Sequence, residues 1–353
     1  MSLGSSVTNQ VKLFRASRGW SQHELATRAG VSRAEVSAIE TGRLVPSVAT
    51  ALALARGFEC RLDDLFQSRE DADQTPEWAW LPQQERCRFW ESEVAGRNLL
   101  FPAETAFPWA PPHDGICEYG VIQFRRQVPP SRTLVLACCD PAAGLLAAEY
   151  ARTTDFRLLI IPRSSGAALD LLADSRAHLA GLHLQGEQRG DGNADAVRSR
   201  IGAGFALIHV ARWQAGLAIS PGNKARTVGS VVRSRLRWVG REPGSGARQC
   251  LDELRPGKRP PAHLAANHRA VAEAIRAGWA DVGVCVRLVS EEAGLRFLKV
   301  RDESYDLCCP RGALADPRVV ALLNVLQSES YRGLLAELPG YQPLNTGEVR
   351  DVE

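Results

Sequence analysis

No run of about 18 consecutive apolar residues occurs in the 353-residue chain, so the sequence offers no membrane-spanning helix. The opening Met1-Ser2-Leu3-Gly4 lacks a charged stretch followed by an apolar one, which argues against secretion and for a cytoplasmic protein. Nine cysteines are present, but none forms a Cys-x-x-Cys pair, and the adjacent pairs Cys138-Cys139 and Cys308-Cys309 would point to opposite faces of a strand. They read as reduced thiols that pack in the core. A Gly-x-Ser-x-Gly elbow and a His-Glu-x-x-His motif are both absent, so nothing marks the chain as an enzyme. Strong charge of one sign is missing too. The net charge is +3, and residues 1–69 hold that same excess alone, nine Lys/Arg against six Asp/Glu. Such a balance permits nucleic-acid binding without requiring it.

The first 66 residues carry dense local signals. Val11, Leu13 and Phe14 share a helical face, and Gly19-Trp20 breaks that run. Ser21 with Glu24, and Ser32 with Glu35, each have the spacing of a capping box. Gly30 suits a left-handed helix end, and Val36 and Ile39 are the core positions of the following helix. Gly42 ends that helix and Pro46-Ser47 starts another. Two short helices joined at a glycine, the second polar on its outer face, suit insertion into a major groove. Ser21-Gln22-x-x-Leu25-Ala26, Gly30-Val31-Ser32, Val36-Ser37-x-Ile39-Glu40-x-Gly42 and Pro46-Ser47 resemble the Cro/CI (xenobiotic-response-element) helix-turn-helix family over residues 7–66. That resemblance implies double-stranded operator DNA as partner and a homodimer or higher homo-oligomer. It implies that Gln22 clamps a phosphate, that Arg33, Ala34, Glu35 and Ser37 face base edges, and that Thr41 and Arg43 lie near the backbone.

Residues 67–83 are polar, acidic and then proline-containing, which marks a boundary. A hairpin is expected over 88–102 around Ala95-Gly96. The domains read as 1–69, a helix-turn-helix; 70–132, a linker with a small β-containing segment; and 133–353, a sensor.

From Thr133 strands and helices alternate, the pattern of an α/β architecture with parallel sheets. Ligands in such folds sit where strands hand over to helices. Four such corners hold small, hydroxylated or cationic residues: Cys139-Asp140-Pro141, Ser164-Ser165-Gly166, Arg241 to Arg248, and Asn267-His268-Arg269. Asp140 is expected to cap a helix over 140–152 with Pro141 in its first turn. Helix starts offer free N–H groups and a favourable dipole to an anion.

Ala137-Cys138-Cys139-Asp140-Pro141-Ala142, Ala180-Gly181-Leu182-His183-Leu184, Arg241-x-Pro243-Gly244-Ser245-Gly246-x-Arg248, His268-x-x-Val271-Ala272 and Tyr305-Asp306-Leu307 resemble the periplasmic-binding-protein-like domain of the molybdate-binding type. The resemblance implies a multidomain chain: an all-α N-terminal domain, then a two-lobed type II α/β domain. Lobe 1 would span about 133–214 with 284–353, and lobe 2 about 215–283. It implies a small oxyanion effector, molybdate or tungstate foremost, held among Cys139, Asp140, Ser164, Ser165, Gly166, His183, Arg241, Ser245, Gly246, Arg248, His268 and Tyr305, with no resident cofactor. Ala247 stands where that family commonly has Thr, and loop 185–193 has no clear counterpart. A small organic anion is the alternative effector, and a thiol-based metal or redox sensor at Cys139 a further one. Two-lobed closure would then alter the spacing of paired DNA-binding heads.

Overall fold

The structure, a computed structural model, describes residues 7–60, 62–68, 76–104, 110–125, 128–184 and 192–353. Parts of the expected boundary segment 67–83 and of loop 185–193 therefore lie outside the described residues. The chain divides into two compact units, Met1–Ser131 and Arg132–Glu353.

The first unit begins with a short strand, β1 (Val7–Asn9), and five helices: α1 (Val11–Ser17), α2 (Gln22–Ala29), α3 (Arg33–Glu40), α4 (Val48–Phe58) and α5 (Leu62–Leu65). Strand β2 (Phe66–Ser68) closes back on β1 in antiparallel register. Local chemistry sets the helix limits. Ser21 Oγ accepts from the Glu24 amide while the Glu24 carboxylate accepts from the Ser21 amide, and Ser32 and Glu35 repeat the arrangement. Gly30 ends α2 with φ 65°, a backbone geometry that costs a residue with a Cβ about 1–2 kcal/mol. Val11, Phe14, Leu25, Val36, Ile39, Leu54 and Phe58 form the core between these helices. Trp20 stacks on Phe58 at 5.7 Å, and the Arg28 guanidinium lies 4.2 Å from the Trp20 ring.

The rest of this unit is more than a linker. Strands β3 (Glu77–Trp78), β4 (Arg86–Val94), β5 (Arg97–Pro102), β6 (Gly115–Glu118) and β7 (Val121–Phe124) make a five-stranded sheet in the order β3-β5-β4-β6-β7. The hairpin turns at Ala95-Gly96, both at positive φ. Phe89, Leu100 and Cys117 fill its core, and Val121 joins the core of the helices.

In the second unit, β8 (Thr133–Cys138), β9 (Arg157–Pro162) and β10 (Leu179–Leu182) are parallel neighbours, linked by α6 (Ala143–Thr153) and α7 (Ser165–Ala173). After α8 (Gly192–Ile201) comes β11 (Phe205–Ile219), a strand of 15 residues. Beyond α9 (Val228–Arg233), strands β12 (Trp238–Arg241), β13 (Leu264–Ala265) and β14 (Val282–Val286) alternate with α10 (Gly246–Leu254) and α11 (His268–Arg276). Helix α12 (Arg287–Glu292) leads into β15 (Arg296–Pro310), again 15 residues, and the chain closes with α13 (Pro317–Gln327), α14 (Glu329–Ala336), β16 (Tyr341–Gln342) and β17 (Val349–Val352).

β11 and β15 pair antiparallel along their whole length, so the sheet is mixed and not purely parallel as the alternation suggested. The two strands also run through both lobes. Phe205–His209 and Asp306–Pro310 lie with the β8–β10 half, whereas Ala215–Ile219 and Arg296–Lys299 lie with the β12–β14 half. The return crossing thus falls inside β15, around Arg301–Ser304, and not at residue 284. Register shifts at His209/Ala211 and Ala215/Gly216 bend the crossing. At Gly216 a Cβ would come within 2.3 Å of the Leu298 carbonyl, so only glycine lets the strands approach there. Among the described residues no helix is long and apolar enough to cross a membrane.

Candidate functional site

In the helical unit, α3 presents Arg33 and Ala34 to solvent, with Glu35 and Ser37 half-buried beside them. The Glu35 carboxylate is held by the Ser32 amide at 2.9 Å, so its capping role occupies an acceptor that base readout would use. Thr41 and Arg43 are exposed, and Arg43 Nε donates to Thr41 Oγ1 at 2.9 Å. Gln22 donates its carboxamide to Glu40 Oε2 at 2.9 Å, and Arg15 holds the other Glu40 oxygen at 2.6 Å. Burial opposes the charged form of Glu40, yet bonds from Arg15 and Gln22 keep its carboxyl below the usual range.

The second unit gathers its polar residues where the lobes meet. At the first corner the expected cap is absent. Helix α6 starts at Ala143, with Ala142 before it and no side-chain cap. Asp140 Oδ1 instead accepts from the Ala142 amide at 2.9 Å and from the Tyr341 hydroxyl at 2.6 Å, a turn outside the helix. Burial raises the Asp140 carboxyl to about 6, with those two donors restraining the rise.

Cys139 Sγ lies 3.1 Å from His183 Nε2. His183 Nδ1 contacts Glu303 Oε2 at 2.9 Å, and the same oxygen accepts from Trp213 Nε1 at 3.1 Å. Arg301 Nε donates to the other Glu303 oxygen at 2.8 Å. His183 and Glu303 are both buried. Burial disfavours an imidazolium at His183, but the Cys139 sulfur and the Glu303 carboxylate prevail and push it up to about 10. Glu303 stays below its usual range, because the His183 bond and charge outweigh its burial.

His268, at the start of α11 in the other lobe, faces His183 with ring centroids 5.7 Å apart. Neither of its ring nitrogens has a hydrogen-bond partner, although the residue is only 2% exposed. Burial, then the charges of Arg241 and His183, hold its basicity well below the usual histidine value. Trp213 stacks on Tyr305 at 4.7 Å and walls the cluster. A Cβ at Gly181 would sit 2.6 Å from the Tyr305 hydroxyl.

Arg241, at the end of β12, is also 2% exposed. Its Nε and Nη2 reach Glu242 at 3.2 Å, while Nη1 is buried without a partner. Ser245 and Asn267 cap α10 and α11 through their side chains. Ser245 Oγ donates to the Glu242 carbonyl, and Ser165 Oγ accepts from the His183 amide. Ser164 precedes α7 without a side-chain cap. The Gly166 amide donates to the Gly244 carbonyl at 3.1 Å, joining the corners of the two lobes. The glycine-serine corners therefore face one another. Beside them opens a cavity of about 1000 Å³ lined by Gly166, Arg200, Gly244, Ser245 and Arg248 among others. Arg248 pairs there with Asp252 at 2.8 Å and, with that ion pair, stays at the rim.

The twelve expected ligand residues thus fall into two groups. Cys139, His183, Arg241, His268 and Tyr305 join the buried cluster together with Asp140. Ser164, Ser165, Gly166, Ser245, Gly246 and Arg248 form the corners and the cavity wall. Glu303 and Tyr341 were not singled out from the sequence.

A model of the PBP superfamily domain matches residues 147–327, and a helix-turn-helix model matches residues 11–65. Uncharacterized protein YvgK of Bacillus subtilis (strain 168) is 30% identical over 184 residues, covering 49% of this chain and 59% of that protein. The chain therefore spans less than two thirds of that relative. Uncharacterized HTH-type transcriptional regulator YgzD of the same organism is 41% identical over 63 residues, 18% of this chain and 96% of its own. Among solved structures, the sulfate-binding protein SubI from Mycobacterium tuberculosis H37Rv is similar at TM-score 0.46 and 14% identity, over 60% of this chain and 87% of that one. PhnD1 from Prochlorococcus marinus (MIT 9301), in complex with methylphosphonate, is similar at TM-score 0.42 and 14% identity, over 63% and 93%.

Proposed function

This chain belongs to the PBP superfamily and carries a helix-turn-helix ahead of that domain, and from that premise we propose that it is a DNA-binding transcription regulator whose interlobe cleft senses a small anion. Arg241 carries the reading. A guanidinium cannot shed its proton in a protein, so burying one with a free N–H costs about 1–3 kcal/mol until an acceptor arrives. The buried Nη1 of Arg241 is such a group. It stands at the end of a strand, just before the capped start of α10, where an anion would also meet helix N–H groups. Molybdate and tungstate are the first effectors to try, and small carboxylates and sulfonates the second. At the other end of the chain, the exposed Arg33 at the start of α3 suits a duplex, and a paired, two-headed assembly would match half-sites one helical turn apart.

Thermal melting of the full chain with molybdate, tungstate, sulfate, phosphate and small organic acids tests the effector. A ligand present at about 100 times its Kd adds about 2.7 kcal/mol to apparent stability. The expected result is an upward shift with one anion class, abolished in Arg241→Met. No shift with any of them at millimolar concentration overturns the anion reading. Gel-shift of a duplex selected from a random pool, with and without that anion, tests the coupling. Equal affinity in both conditions removes it, since a ligand moves an equilibrium only through differential affinity.

A further inference from the structure

We propose that Cys139, His183 and His268 form a site for a borderline or soft transition-metal cation, Zn(II) or Cu(I), ligated from both lobes of the second unit at once. The proposal goes beyond the anion reading and uses different atoms, since Arg241 takes no part in it as a ligand.

Three observations carry it. The Cys139 sulfur and one nitrogen each of His183 and His268 lie within 4.8 Å of one another. A zinc ion with a Zn–S bond of about 2.3 Å and Zn–N bonds of about 2.0–2.1 Å holds such donors roughly 3.3–3.7 Å apart. The observed Sγ to Nε2 spacing of 3.1 Å is close to that span. Second, His268 is buried with both ring nitrogens unpartnered. A buried polar group without a partner is rare, and a metal bond is one of the few ways to satisfy an imidazole that no donor or acceptor reaches. Third, His183 turns its other nitrogen to the Glu303 carboxylate at 2.9 Å, and Trp213 and Arg301 fix that carboxylate in turn. Metal-bound histidines almost always show this outer bond, which sets the tautomer and aims the inner nitrogen.

The positive charge of Arg241 opposes a cation at His268, and Glu242, which pairs with Arg241, offsets it. Asp140 and Glu303 are buried carboxylates near the cluster, and the protons on Cys139 Sγ and His183 Nε2 would leave to solvent as the S–metal and N–metal bonds form. One sulfur and two imidazole nitrogens are the donor mixture that zinc and cuprous ions prefer over magnesium or calcium. Cys139 and His183 come from the lobe of β8–β10, and His268 opens α11 of the lobe of β12–β14. Ligation would therefore hold the lobes together at this point.

The test uses the full chain, reduced, stripped with chelator and then given Zn(II) or Co(II) alone. One equivalent of zinc per chain should remain after dialysis, and Co(II) should give a thiolate-to-metal absorption band. Cys139→Ser should lose that band and the bound zinc, His268→Gln should lose the zinc, and Cys60→Ser should keep both. Glu303→Gln, which leaves all three ligands in place, should weaken zinc by about 10–100-fold. Circular dichroism and melting of the metal-free variants separate loss of ligand from loss of fold. Zinc no higher than in the dialysis buffer overturns the proposal. So does stoichiometric zinc in folded Cys139→Ser and His268→Gln. Anion melting curves on the metal-stripped chain keep the two readings apart: a molybdate shift that survives in Cys139→Ser and vanishes in Arg241→Met belongs to the anion site alone.

Discussion

The surface of α3 and the centre of the second unit handle polar groups in opposite ways. On the outer surface of α3, polar side chains are mostly answered within a few residues or left in water. Ser32 and Glu35 answer each other, Thr41 bonds the Ser37 carbonyl, and Arg33 and Ala34 stay exposed. Between the lobes, polar groups are removed from water and answered over long chain distances: Cys139 by His183 across 44 residues, His183 by Glu303 across 120, Asp140 by Tyr341 across 201. Some, such as His268 and Arg241 Nη1, are not answered at all. A long, hydrated polyanion can be met by the first kind of surface, because nothing has to be dehydrated beforehand. A small guest needs the second kind, where the protein has already borne the cost of burial and the guest recovers it.

That contrast predicts where substitutions hurt. The largest effect is expected from Gly246→Ala. A methyl group there would lie 2.3 Å from the His183 carbonyl and 2.6 Å from its Nδ1. Alanine normally favours a helix over glycine by about 1 kcal/mol, so the sign of the change is informative. Overpacking should prevail, lowering the melting temperature by the equivalent of about 1–3 kcal/mol. Gly333→Ala is the matched control, inside α14 with open space around its would-be Cβ. It should stabilise by roughly 0.5–1 kcal/mol. If Gly246→Ala raises the melting point as Gly333→Ala should, the close approach at His183 is not real.

The same contrast explains what could be read in advance. Capping boxes and helix-ending glycines act over three or four residues, so Ser21, Glu24, Ser32, Glu35 and Gly30 announced the helices of the first unit, whereas of its five-stranded sheet only the hairpin over 88–102 was read. The corners of the second unit were legible for the same reason, since Ser245 and Asn267 cap helices that begin one residue later. Strand β15 was not. Its stretch Lys299-Val300-Arg301-Asp302-Glu303 is charged because it crosses between lobes, and apolar alternation fails there. Glu303 was lost with it. Spacing along the chain also hid the partners of Cys139, because residues far apart in sequence meet only after both crossings of the sheet. Asp140 misled for a different reason. An aspartate before proline has the pattern of a cap, but here its oxygen is claimed by Tyr341, and the helix waits until Ala143.

A second prediction strikes a long-range ion pair within the helical unit. Glu40 is 2% exposed as a side chain and Arg15 17%. Arg15→Ala leaves the Glu40 carboxylate with only Gln22 as a hydrogen-bond donor and should cost about 1–2 kcal/mol. The pH dependence has a definite sign. Because the folded carboxyl of Glu40 lies below its ordinary value, the pair stabilises fully above the ordinary glutamate range. That contribution fades as pH falls through the lower, folded value. Glu40→Gln should flatten this acid limb in melts of the chain. An unchanged acid limb would mean that the pair does not hold the helices.

The smaller effects test the locally answered surface. Ser32→Ala removes the Oγ that accepts from the Glu35 amide and should cost about 1 kcal/mol, leaving zinc and anion binding untouched. Arg33→Ala should change stability least, by no more than about 0.5 kcal/mol, since the side chain is exposed at the first position of α3. Its effect belongs to DNA. If Arg33 neutralises a phosphate, affinity for all duplexes should fall together and the slope of log affinity against log salt should shrink by about 1. If it reads a base edge, affinity for the selected duplex should fall by about 1–3 kcal/mol while affinity for random duplex stays. A variant with unchanged salt slope, unchanged sequence preference and unchanged melting would show that the N-terminus of α3 is not turned to the groove, and the reading face would have to be sought on another helix of the first unit.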